Sequence, residues 1–157
     1  MVVRSLSDEL KQTRPFDLLE EEVHLSVLRT AAVLEHEFAR ALKPFGLTPT
    51  QYNVLRILRG AGPGGLCRYE VGERLIRPVP DVTRLLDRMT EMKLIGRQRV
   101  DEDRRLVRTH ITPKGLALLA ELDAPIREVH RARLAHMSAA RLEALVATLA
   151  EVRQAGS

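Results

Sequence analysis

The sequence has no tryptophan, two tyrosines and three phenylalanines in 157 residues. So few large rings leave leucine, valine and alanine to fill the interior. That suits packed helices better than a β-sandwich. There is one cysteine, Cys67. An intrachain disulfide is therefore excluded, and a reducing compartment is the simple reading. The N-terminus, Met-Val-Val-Arg-Ser-Leu-Ser-Asp-Glu, lacks the apolar stretch of a signal peptide. No apolar run is long enough to span a bilayer. The expectation is a cytoplasmic protein with no membrane partner.

Familiar chemical signatures are missing too. The five histidines (His24, His36, His110, His130 and His136) fall on different segments, and no Cys/His cluster has zinc spacing. Only a dimer, by bringing histidines of two chains together, would reopen that question. No Ser-His-Asp order, phosphate loop or dinucleotide fingerprint occurs. We expect no enzyme, no cofactor and no metal.

What the chain does have is arginine, concentrated in one region. The net charge is only +4. Residues 1–47 carry six basic and eight acidic side chains, whereas residues 74–108 carry ten basic and six acidic. The basic ones include Arg77, Arg84, Arg88, Arg97, Arg99, Arg104 and Arg105. The planar guanidinium fork suits phosphate and guanine, since it donates two parallel hydrogen bonds. Charge alone fits a solvated surface equally well.

Periodicity supplies the frame. Residues 1–15 read as a polar arm with a short helix around Leu6 and Leu10. Asp17 to Leu42 has helical apolar spacing, from Val23 through Val27, Leu28, Leu34 and Phe38, and Lys43-Pro44-Phe45-Gly46 stops it. Thr48, Pro49 and Gln51 are a cap, a first-turn proline and a capping-box partner for a second helix. Gly60-Ala61-Gly62-Pro63-Gly64-Gly65 breaks the chain. A helix from Tyr69 to Ile76 should turn Val71, Leu75 and Ile76 inward. Arg77-Pro78-Val79-Pro80 forms a turn. The next helix spans Pro80 to Lys93, with Val82, Leu85, Leu86, Met89 and Met92 inward and Thr83, Arg84, Asp87 and Arg88 outward. Gly96 is the expected left-handed residue. A hairpin follows, with strands over 97–100 and 106–111 and a charged tip, Asp101 to Arg105. Thr112 caps a further helix, which Pro125 should kink or break. Ser138 caps the last one, bearing Leu142, Leu145, Val146, Leu149 and Val152.

Short helices followed by a hairpin make a winged helix-turn-helix. The outward face of its second short helix can enter a major groove about 12 Å wide. Arg104 and Arg105 at the wing tip are placed for backbone or minor groove, whose negative potential attracts arginine. The fold class is therefore mainly α, with a β-hairpin wing and flanking helices. Residues 47–111 form the winged part, and 1–46 with 112–157 form a helical region.

Four runs resemble one family. Leu47-Thr48-Pro49-Thr50-Gln51-Tyr52-Asn53-Val54-Leu55 resembles the second helix of the multiple antibiotic resistance regulator (MarR) family of bacterial regulators. Val82-Thr83-Arg84-Leu85-Leu86-Asp87-Arg88-Met89 resembles its recognition helix, Asp101-Glu102-Asp103-Arg104-Arg105 its wing, and Ile111-Thr112-Pro113-Lys114-Gly115 its next helix. The runs stand in the family's order. The resemblance implies a homodimer built from the N- and C-terminal helices. It also implies double-stranded DNA with a palindromic operator, usually repression, and often release by a small-molecule effector. It implies that a wing Asp braces a wing Arg, here Asp103 and Arg105, with Arg104 nearer the DNA. Thr83, Arg84, Asp87, Arg88, Arg77, Arg97, Arg99, Asp103, Arg104 and Arg105 are the expected DNA-binding residues. This chain departs at Pro78, Val79 and Asp81, where the family has a hydroxyl cap, a basic residue and a small polar residue. Two rivals stay open at this point. One is a winged-helix module for protein contacts without DNA specificity. The other is a redox-responsive regulator using Cys67, with Arg68 assisting its thiolate.

Overall fold

The first long helix carries leucines and valines on a broad stripe, and the chain folds back at Pro44 to cover part of it. A computed structural model describes residues 4–99 and 107–154. The wing-tip residues Asp103, Arg104 and Arg105 lie outside that range. Helix α1 (Leu6–Leu10) starts at Ser5, whose hydroxyl accepts from the Asp8 N–H at 3.2 Å. Helix α2 (Leu19–Leu42) ends in a 3₁₀ turn over Lys43–Phe45. Helix α3 (Pro49–Ala61) has the expected capping box. The Gln51 N–H donates to Thr48 Oγ1 at 3.2 Å, and the Thr48 N–H donates to Gln51 Oε1 at 2.9 Å.

Three corrections follow α3. Leu66–Cys67 form a two-residue strand, β1, which the sequence pattern did not reveal. Helix α4 (Arg68–Arg74) is shorter than expected. Leu75 is already extended and is buried, while Ile76, expected inward, is 84% exposed. Helical periodicity cannot place a side chain once the backbone has left the helix. Helix α5 runs Val82–Glu91, starting two residues after Pro80.

The left-handed residue is Lys93 (φ 59°), not Gly96. The Leu94 N–H donates to the Met89 carbonyl at 3.1 Å and the Lys93 N–H to the Thr90 carbonyl at 2.8 Å. This is a Schellman end in which lysine holds the place glycine usually takes. Gly96 serves differently. It sits in β2 (Ile95–Arg99), opposite His110 of β3 (Val107–Ile111), and a Cβ there would lie 2.6 Å from His110 Nε2. Lys93→Gly should relieve the left-handed strain and stabilise the fold by about 0.5–1 kcal/mol, after allowing for glycine's freedom in the unfolded chain. A thermal melt checks it. A lower Tm would show that the lysine stem contributes more than the backbone costs.

The three strands form one antiparallel sheet, order β1-β3-β2. Thr109, the central residue of β3, pairs with both Leu66 and Arg97 and is buried. Helix α6 (Pro113–Leu134) runs unbroken through Pro125, which corrects the expected break. The carbonyl that loses its donor is that of Glu121. Both residues are exposed, so water can serve it. Helix α7 (Ala139–Gln154) has no buried residue. Ser138 Oγ accepts from the Arg141 N–H at 3.4 Å, which places Ser138 at its start as expected. Leu42, Leu55, Leu58, Val71, Leu86, Met89, Leu94, Leu119 and Leu122 make the core, so α2 to α6 converge on one cluster. No helix of the described residues is long and apolar enough to cross a membrane.

Arg59 of α3 grips Asp123 of α6 with two hydrogen bonds, 2.9 and 3.1 Å. The hydrogen bond from Arg59 holds the Asp123 carboxyl below its ordinary value, against the opposing effect of burial. The folded pKa is therefore lower than the unfolded one. The pair stabilises above the ordinary carboxylate range, and its contribution is lost as pH falls through the depressed value. Asp123→Asn should lower Tm at about pH 7, by an amount that shrinks as pH falls from about 5 to about 2. A deficit independent of pH would assign the loss to packing.

Candidate nucleic-acid interface

Helix α5 divides into two faces. Leu86 and Met89 are buried, whereas Arg84, Asp87 and Arg88 are exposed and Thr83 is half-buried. Arg84 and Arg88 are four apart, so their side chains project from one side of the helix. Among the described residues, neither has an ion-pair partner. The two arginines therefore present their donors outward.

The start of α5 is set by Asp81. Its Oδ1 accepts from the Arg84 N–H at 2.9 Å. The cap thus lies beyond Pro78 and Val79, and its carboxylate sits favourably at the positive end of the helix.

Two further arginines brace the helix from outside. Arg97 of β2 donates through Nη1 to Asp87 Oδ1 at 2.6 Å and through Nη2 to the Thr83 carbonyl at 3.5 Å. Arg68, the first residue of α4, donates to Thr83 Oγ1 at 2.9 Å. Asp87 is thereby paired, and the outward positive charge of α5 rests on Arg84 and Arg88, with the exposed Glu91 at the helix end. Of the expected DNA-binding residues, Thr83, Arg84, Asp87, Arg88 and Arg97 come together here. Arg99 is exposed further along β2, opposite Val107. Arg77 points elsewhere, onto Glu35 of α2. Asp103, Arg104 and Arg105 are outside the described residues.

A model of the MarR family matches residues 45–106. A MarR transcription factor from Planctomyces limnophilus is 36% identical, over 86% of this chain and 98% of that one, with a TM-score of 0.66. The chain belongs to the MarR family. Two more distant structures share the fold. MepR of S. aureus, solved in complex with DNA, is 21% identical over 84% of this chain and 96% of its own, with a TM-score of 0.77. BpsR of Bordetella bronchiseptica, whose DNA binding is regulated by 6-hydroxynicotinic acid, is 23% identical over 84% and 98%, with a TM-score of 0.74. The α3-α4-α5-β2-β3 order is the winged helix of this MarR regulator.

Within the MarR winged helix, a cleft of about 440 Å³ lies between α5 and the sheet. Cys67, Arg68 and Tyr69 form one wall; Thr83 and Leu86 of α5, Arg97, Val107 and Thr109 complete it. Arg68 and Tyr69 were not among the expected site residues. Tyr69 is largely exposed, and a hydrogen bond to Glu73 raises its phenol above the ordinary value. No sequence signal pointed to them, because the contact of Arg68 with Thr83 joins residues 15 apart through the tertiary fold. Cys67 is half-buried, and its N–H donates to Glu70 Oε2 at 2.7 Å. The Cys67 N–H, and after it the thiol, hold the Glu70 carboxylate below its ordinary value. The cysteine thus acts as a link at the start of α4.

Proposed function

We propose that this MarR family chain is a sequence-specific reader of double-stranded DNA that acts as a homodimeric repressor on a palindromic operator. The observation that carries this reading is the outward face of α5. Arg84 and Arg88 are exposed there, on a helix whose register is held by Asp81, Arg97 and Arg68. A helix pre-set in this way can offer guanidinium forks to guanine edges without first being ordered. Arg99, Arg104 and Arg105 would engage backbone or minor groove beside it, with Asp103 bracing Arg105. Thr83 and Asp87 serve as braced neighbours of the reading arginines. The complex of MepR with DNA is in keeping with this use of the fold.

The division of labour follows from exposure. Residues 47–111 would contact DNA, while 1–46 and 112–157 would join two chains. Leu19 of α2 and Val146 of α7 are 71% and 67% exposed, and Leu18, Leu28 and Val152 are also uncovered. Such apolar stripes on helices that bury little of their own are what a partner chain would cover. A small-molecule effector would act by shifting α5. An occupant of the cleft beside Thr83 and Arg97 would do so directly. We place the protein in the cytoplasm, where the DNA of a bacterial regulator lies.

Salt titration separates this reading from a protein-contact module. Neutralising about six phosphates should cost roughly a thousandfold in affinity between about 50 and 200 mM salt. Affinity for duplex DNA that is absent at physiological salt would favour the protein-contact module instead.

A further inference from the structure

Arg77 precedes α5 by five residues and was expected at the DNA. Instead its guanidinium donates to both carboxylate oxygens of Glu35, on α2. The pair joins residues 42 apart in sequence. It anchors the segment between α4 and α5, which is pinned at other points as well. The Ile76 N–H donates to Asn53 Oδ1 of α3 at 2.9 Å. Val79 packs against the core, and Asp81 caps α5. Pro78 and Pro80 fix φ between those anchors. A segment this short and this constrained has little slack, so movement of α2 would be passed to the first turn of α5.

Helix α2 is itself gripped from another side. Glu37, two residues on and so about 200° further round the helix, accepts from Arg133 of α6 at 2.9 Å. One side of α2 thus holds the long helix α6, and the other holds the lead into α5.

We infer that Glu35–Arg77 is a strut that sets where the first turn of α5 stands relative to α2. In a dimer joined through α2, it thereby sets the separation of the two reading helices. Both residues are positioning residues, acting through α5. The inference rests on the DNA-binding dimer proposed above. Stability is not the pair's role, because its side chains are 68% and 43% exposed and exposed pairs add little. Its contribution is direction, since Nη1 of Arg77 is shared between both carboxylate oxygens and is thereby held in front of the Glu35 carboxylate rather than to one side of it. The competing reading makes Arg77 a phosphate contact with Glu35 a chance neighbour.

The two readings part at Glu35. The full-length chain and its Glu35→Gln, Arg77→Ala, Arg77→Glu and Glu35→Arg/Arg77→Glu variants would be titrated with three kinds of duplex. These are the operator selected by the wild type, the same operator with one base pair added or removed between half-sites, and a random duplex of equal length. Glu35→Gln and Arg77→Ala should each weaken operator binding about three- to tenfold. Random-duplex binding should stay within about twofold, and the preference for native spacing should flatten. The double exchange should recover at least about twofold over Arg77→Glu alone. Melting temperatures should hardly change, which keeps folding out of the comparison. The strut is overturned if Glu35→Gln binds operator as well as or better than wild type while Arg77→Ala weakens operator and random duplex alike. A wild type that binds no duplex overturns the DNA-binding proposal and the strut together; failure of the strut alone leaves wild-type binding intact.

Discussion

Gly115→Ala is expected to lower the melting temperature by about 4–12 °C, corresponding to about 2–3 kcal/mol in a chain of this size. The sign is the informative part. Gly115 lies in the first turn of α6, and in an open helix alanine outdoes glycine by about 0.5–1 kcal/mol. Here a Cβ would lie 2.3 Å from the Leu94 carbonyl oxygen and 2.8 Å from Ile111 Cγ1. That oxygen is not free to yield. It accepts from the Thr112 N–H at 3.1 Å and from Thr112 Oγ1 at 3.0 Å. Lys114 Nζ adds a bond to the Met92 carbonyl at 3.0 Å. The end of α5 and the start of α6 are thus one joint, and a methyl group would wedge it open. Gly60→Ala is the matched control, because a Cβ at Gly60 meets nothing within 4 Å. It should raise Tm slightly. If Gly115→Ala also melted higher than the wild type, the joint would not be as tight as its hydrogen bonds imply.

Arg84→Ala should weaken operator binding by about 1–3 kcal/mol, roughly five- to 150-fold, and relax sequence choice at one base position. The reasoning is geometric. Arg84 is on the exposed side of α5, one turn in from the Asp81 cap, and its own backbone N–H is the one Asp81 holds. Its Cα is therefore fixed while its guanidinium stays available. Random-duplex affinity should fall much less. Equal losses on operator and random DNA would make Arg84 a phosphate contact and move the reading of bases elsewhere on α5.

Local signals were legible where they were self-contained. The Thr48–Gln51 capping box needs only four residues, and α3 begins where it says. Apolar spacing placed Leu86 and Met89 inside and Arg84 and Arg88 outside. Some misses arise because the deciding contact is distant in sequence, others because the backbone leaves the helix earlier than its spacing suggests. β1 is two residues long, too short for alternation, and exists because β3 offers it Thr109 and Arg108. Gly96 draws the eye as a helix end, yet its lack of a side chain serves the ring of His110 across the sheet. Lys93 takes the left-handed turn because α5 has already ended at Glu91. The stripe on α7 was visible, but Val146 and Val152 remain exposed because nothing among the described residues covers them. The cluster around α5 was half legible. Thr83, Arg84, Asp87, Arg88 and Arg97 could be listed from pattern and resemblance. That Arg97 clamps Asp87, that Arg68 holds Thr83, and that Arg77 turns to Glu35 depend on the tertiary fold.

Selection of duplexes from a random pool by the full-length chain tests the central claim most directly. The reading of α5 as a recognition helix in a homodimer predicts enrichment of two inverted half-sites centred about 10–10.5 base pairs, one helical turn, apart. Enrichment of a single half-site would contradict the dimer, and no enrichment over the starting pool would contradict sequence-specific recognition itself.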